Sequence, residues 1–178
     1  MKINEAGWLE EARRIPSENC DDRPEDSEVS LLVIHNISLP PGEYGGDGII
    51  ELFTNRLDPG GHPYYGGIAS MRVSAHFLIR RDGEIIQFVP CTRRAWHAGA
   101  SEWCGQARCN DFSVGIELEG SDLEVFTDAQ YVSLAALAKA LMQAYPIRDV
   151  VGHSDISPGR KTDPGPYFDW GRFKVAIL

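Results

Sequence analysis

Residues 30–37 read Ser-Leu-Leu-Val-Ile-His-Asn-Ile, a short apolar run rich in branched side chains and closed by His35 and Asn36. Such a run predicts a buried strand. Phe112–Leu118 (FSVGIEL) repeats the pattern. Val73–Ile79 and Glu84–Val89 flank Arg81-Asp82-Gly83, and an Asp-Gly step between two apolar stretches predicts a hairpin. Val150-Val151 predicts a further short strand running into Gly152-His153. Helices are expected between these strands. Ile49, Leu52, Phe53 and Leu57 have helical spacing. Ala129–Tyr145 is rich in Ala and Leu, is preceded by the capping candidates Thr127 and Asp128, and ends before Pro146. A last helix is expected from Phe168, and a short one around Trp8–Arg14, before Pro16 and Pro24. Leu39–Gly48, Asp58–Gly67 and Ser154–Tyr167 are loops by composition. The fold class expected is mixed α/β: a central mixed sheet with helices on its faces, in a single domain over 1–178.

The chain has 178 residues, 43% of them hydrophobic, enough for one ordinary core and too few for two comfortable ones. Its net charge of −9 argues against a general binder of nucleic acid or anionic membrane, whose phosphates reward the opposite sign. No run of 18 apolar residues is present, so no membrane span is expected. The first residues lack an apolar leader-like core, which makes the cytoplasm the expected compartment. The monomer is the expected state. Cys20, Cys91, Cys104 and Cys109 lack the paired spacing of a thiolate zinc site and make a poor disulfide framework.

The chemistry-bearing residues fall into four groups. His35 and His153 each close a predicted strand, and Asp163 follows in a Pro/Gly-rich loop. Two imidazoles and a carboxylate suit a zinc site with an open fourth position. Ordinary satisfied core histidines would look the same, and His62, His76 and His97 compete for the ligand roles. Glu117 and Glu119 share one face of their strand, either the solvated side of an edge or part of a site. Lys161, two residues before Asp163, is either a solvated loop cation or an oxyanion partner. Arg72, Arg80, Arg81, Arg93, Arg94 and Arg108 fall within 37 residues. They form either a basic cleft for carboxylate-bearing ligands or surface arginines paired with nearby acids.

Several strings together resemble a known family: VIHNISLPPGEYGG, SAHFLIRRDGEIIQFVP, RAWHAG, RCNDFSVGIELEG and GHSDISPGRKTDPGP. They are similar to the type 2 zinc-dependent N-acetylmuramoyl-L-alanine amidases, in particular to the cytoplasmic branch acting on 1,6-anhydro-N-acetylmuramyl-L-alanine. The similarity runs from GWLEEARRIPS to FDWGRF. It implies the fold shared by these amidases and the peptidoglycan-recognition proteins. It implies His35, His153 and Asp163 as ligands of Zn2+, Glu117 as the catalytic carboxylate and Lys161 as transition-state support. It also implies that Asn36, Arg72, Trp96 and Arg108 line the sugar and peptide cleft. The implied substrate is a small muropeptide, cleaved between the lactyl group of the muramyl sugar and L-alanine during peptidoglycan recycling. By the same resemblance, this cleavage limits β-lactamase induction. Cys104, Gln106, Ser154 and Asp155 depart from the family pattern, which bears on selectivity for the peptide end. Two alternatives are an envelope or autolytic amidase acting on intact peptidoglycan and a non-catalytic peptidoglycan-binding module. Trp96 either stacks on sugar or packs in the core, and Glu119 is expected to hold a neighbouring donor.

Overall fold

The computed structural model describes residues 1–178. The elements in chain order are β1 (Arg13–Arg14), β2 (Cys20–Asp22), β3 (Leu31–Ile37), α1 (Gly48–Phe53), β4 (Phe77–Ile79), β5 (Ile85–Gln87) and β6 (Arg93–Ala95). They continue as β7 (Glu102–Trp103), β8 (Gln106–Ala107), β9 (Ser113–Glu119), α2 (Asp128–Ala144), β10 (Asp149–Gly152), α3 (His153–Ile156) and α4 (Trp170–Ile177). The main sheet runs β1-β5-β4-β9-β3-β10. β3 is parallel to both β9 and β10, β9 is parallel to β4, and β5 is antiparallel to β4. The sheet is therefore mixed, as expected. The β4–β5 hairpin turns through Gly83, whose φ of 88° is the left-handed conformation that the Asp-Gly step permits.

Period-two alternation assigns each strand residue to a layer. Leu32, Ile34, Val114, Ile116 and Leu118 join Leu134, Leu137 and Leu141 of α2 and Phe173 of α4 in the largest core cluster. Leu31 and Val33 face the other way, onto Ala98, Phe112, Val151 and Ile156. Leu78 and Ile86 pack with Ile49, Leu52 and Phe53 of α1. Helices thus cover both faces of the sheet. The functional side chains lie on the α1 side.

α2 begins where the capping chemistry predicts. Thr127 Oγ1 accepts the Gln130 N–H and Gln130 Oε1 accepts the Thr127 N–H, each at 3.1 Å. Gln130 is fully buried, and its Nε2 also donates to the carbonyls of Ile79 and Glu119. One side chain thereby starts α2 and finishes β4 and β9. The helix stops at Tyr145, which is extended before Pro146.

The helix expected at Trp8–Arg14 does not form. Gln87 is buried in β5 and captures this segment instead, accepting from Leu9 N at 2.7 Å and donating to Gly7 O at 2.9 Å. Leu9 is driven into the core, and the chain continues extended as β1 beside β5. Tertiary hydrogen bonds outweigh a weak local propensity here. The expected helix after Ile49 closes early, at Phe53. All four cysteines are free. No helix is long and apolar enough to cross a membrane.

Candidate active site

The register of β3 against β9 places His35 opposite Glu117, and that of β10 against β3 places Gly152 opposite Ile34. His153, the next residue after β10, therefore arrives beside His35. The loop carrying Asp163 is tied back by Ser154 N donating to Asp163 O at 2.9 Å. Asn36 Nδ2 donates to Pro164 O at 3.0 Å and to Asp122 Oδ1 at 2.6 Å.

The result is a near-equilateral triangle. His35 Nδ1 lies 2.9 Å from His153 Nδ1, and each lies 3.0 Å from Asp163 Oδ2. Burial pushes His35 down to about 4. Burial alone would raise Asp163, but hydrogen bonds to His153 and His35 carry it well below the ordinary carboxylate range. His35 is thus held neutral beside an ionised carboxylate.

The chemistry of this donor set fits a metal ion. His153 Nε2 donates to the carbonyl of Ala98 at 3.1 Å, so its Nδ1 is the lone-pair nitrogen. Lone pairs then converge on one point with the carboxylate, an arrangement stabilised by a cation. Zn–N bonds of about 2.0–2.1 Å in a tetrahedron give ligand–ligand edges of about 3.3 Å, a few tenths longer than those observed. His35, His153 and Asp163 are together a group able to hold a metal.

Glu117 stands beside this triangle. Its side chain is buried, and Oε2 has no hydrogen-bond partner. Burial, reinforced by the Asp163 charge and opposed by Lys161, raises it well above the ordinary carboxylate range. A carboxylate so placed keeps its proton to a higher pH than a free one and is suited to proton transfer. Glu117, His35, His153, Asp163 and Lys161 all line one cleft of about 260 Å³, which Tyr64, Met71 and Trp96 also line.

Other expected residues divide. Asn36 lines the cleft, and both donors of its amide are spent on Asp122 and Pro164, fixing the Asp163 loop. Trp96 lines it too, half-buried, with its indole N–H donated to Asp21 Oδ1 at 3.1 Å. Arg72 and Arg108 are exposed and absent from the lining. Arg72 reaches only the carbonyls of Ser70 and Met71, and Arg108 pairs with Asp111 at 3.2 Å. The basic cleft suggested by the arginine cluster is not formed. Arg80 pairs with Glu119, Arg81 with Glu124, Arg93 with Asp22, and Arg94 with Asp21 and Asp111. Glu119 holds donors as expected, accepting from Arg80 Nη1, Gly45 N and Arg81 N at 2.8, 2.7 and 3.1 Å.

Two contributors had no signal in residue spacing. Arg160 Nη2 donates to the carbonyls of Ala98 and Ala100, bracing the acceptor of His153. Asp122 anchors Asn36. Both act through loops whose proximity only the folded chain creates.

The sequence model of the N-acetylmuramoyl-L-alanine amidase family matches residues 25–166. The chain is 61% identical over 173 residues to the 1,6-anhydro-N-acetylmuramyl-L-alanine amidase AmpD of Citrobacter freundii, covering 96% of this chain and 92% of that one. It is 54% identical over 180 residues to AmpD of Haemophilus influenzae, covering 99% and 98%. A crystallised selenomethionine derivative of AmpD superposes with a TM-score of 0.97 at 59% identity, covering 100% of both chains. AmiD of Escherichia coli, solved with anhydro-N-acetylmuramic acid-L-Ala-D-γ-Glu-L-Lys, superposes with a TM-score of 0.64 at 29% identity, covering 88% of this chain and 61% of that one. With a family match over residues 25–166 and such identity across almost its full length, this chain belongs to the N-acetylmuramoyl-L-alanine amidases.

Proposed function

We propose that the chain, as one amidase domain over 1–178, hydrolyses the amide between the lactyl group of 1,6-anhydro-N-acetylmuramic acid and L-alanine of the stem peptide. The observation that carries this is the convergence of His35 Nδ1, His153 Nδ1 and Asp163 Oδ2 within 3.0 Å of one another, beside the orphaned Oε2 of Glu117. The anhydro-sugar preference is supported by the likeness to AmpD and to the ligand held by AmiD.

In this reading His35, His153 and Asp163 hold Zn2+. When bound there, the ion would supply Lewis-acid polarisation and a lowered pKa for water. Glu117 takes a proton from the attacking water at its free Oε2 and returns it to the alanine nitrogen, so that the leaving group is an amine and not an amide anion. Lys161 offsets negative charge developing on the carbonyl oxygen. Trp96, its ring fixed through Asp21, presents a flat wall to the sugar. Asn36 keeps the Asp163 loop in place. Arg72 and Arg108, exposed at the surface, are available to stem-peptide carboxylates. All these groups come from one chain, so the monomer suffices. The substrate is a recycled fragment, which assigns the reaction to the cytoplasm and links it to limiting β-lactamase induction.

The test is peptide release from an anhydro-muropeptide and from intact peptidoglycan, with and without a chelator. Chelator-sensitive release from the fragment, with little action on the wall, is the expected result. Equal digestion of intact wall would replace the recycling role with an envelope one. No release from either, with zinc supplied, would leave a binding module.

A further inference from the structure

We propose that His97-Ala98, clamped by Asn110, is the element that orients both imidazoles of the metal site, with His97 the positioning residue for His35. The inference rests on the zinc reading above.

The two nitrogens of His35 have separate tasks. Nδ1 faces His153 and Asp163, whereas Nε2 lies 2.9 Å from His97 Nδ1. The other nitrogen of His97, Nε2, lies 3.1 Å from Ser113 Oγ. A neutral imidazole carries one N–H. If His35 Nδ1 offers its lone pair to a metal, its proton sits on Nε2 and is donated to His97 Nδ1. His97 must then carry its own proton on Nε2 and donate it to Ser113. The chain His35→His97→Ser113 has a single consistent direction.

The adjacent residue serves the other ligand. The carbonyl of Ala98 accepts the Nε2–H of His153. Asn110 Oδ1 accepts the backbone N–H of His97 at 3.2 Å and of Ala98 at 2.9 Å, so one amide oxygen fixes both supports. The sheet is shaped to receive the ring. A Cβ at Gly115 would stand 2.5 Å from Cγ and Nδ1 of His97, closer than any side chain tolerates. Partners that orient a metal-binding histidine typically change metal affinity about 10–100-fold when lost.

The experiment titrates zinc into metal-free full-length protein against a chromophoric chelator. One tight site per chain in the wild type is the expected baseline. His97→Leu is expected to weaken zinc binding about 10–100-fold. His97→Asn keeps an acceptor one bond from Cγ and should stay within a few-fold of the wild type. Nitrogen-15 spectra of the zinc-loaded wild type, which need no variant to fold, should show His97 as the Nε2–H tautomer. A wild type without zinc affinity would overturn the metal reading itself. Unchanged affinity in His97→Leu, or an Nδ1–H tautomer at His97, would overturn this inference alone and leave the metal reading standing.

Discussion

Glu117→Gln should make the protein more stable and far less active. The side chain is buried on β9, and Oε2 has no partner. Leaving a buried polar group unsatisfied costs about 1–3 kcal/mol, and more when it is charged. Burial raises its pKa above the ordinary value of 4.5, so the folded chain keeps this proton to a higher pH than the unfolded chain does. The unfolded state therefore ionises first. Wild-type stability falls as pH rises above 4.5 and levels off once pH passes the folded value. The glutamine does not titrate. In metal-free protein the two melting curves should coincide near pH 4 and separate toward pH 8. For a chain of this size about 2–4 °C accompanies each kcal/mol, so the variant should gain on the order of 3–10 °C at alkaline pH. Peptide release, followed chromatographically with zinc supplied, should fall by about 10²–10⁴-fold for loss of a general base. A pH-independent gap would refute the burial argument. Turnover above a tenth of wild type would refute the proton-transfer role.

Other outcomes follow from the same geometry. Lys161→Ala should lower kcat about a hundredfold, near 3 kcal/mol, with KM little changed, as steady-state kinetics would reveal. Glu119→Ala should lower stability by about 3–5 kcal/mol in denaturant melts, because buried Arg80 loses its carboxylate, while zinc affinity stays at the wild-type level. Zinc at a hundred times its Kd should stabilise the metal-free wild type by about 2.7 kcal/mol in thermal melts, and Asp163→Asn should abolish most of that gain.

The parts of this architecture legible in the sequence are those with strong local signatures. β3 and β9 showed as branched apolar runs because both their faces are buried, and α2 showed through the capping candidates Thr127 and Asp128 and the proline beyond it. His35, His153 and Glu117 stood out as polar residues on or beside otherwise apolar strands, Asp163 stood in a Pro/Gly-rich loop, and the family resemblance joined them into one site. Trp8–Arg14 was misjudged because its conformation is dictated by Gln87, a partner far along the chain. The arginine cluster misled because composition cannot tell which acid each guanidinium will meet. His97 could be noticed as a candidate but not assigned, since its role depends on the space above Gly115.

The alternation that sorts β9 into two faces also governs what sequence change the protein can absorb. Ser113, Gly115 and Glu117 point one way, and Val114, Ile116 and Leu118 the other. A single-residue insertion or deletion within β9 would exchange the two sets beyond the lesion. Isoleucine and leucine would then crowd His35, His153 and Asp163, and a carboxylate would press against α2. Lesions of two residues preserve parity and shift only the pairing. Selection for catalysis and selection against strand slippage therefore act on the same seven positions, so a drifting lineage would lose its chemistry and its core in one step. Length variation is left to the surface loops, where no parity is at stake.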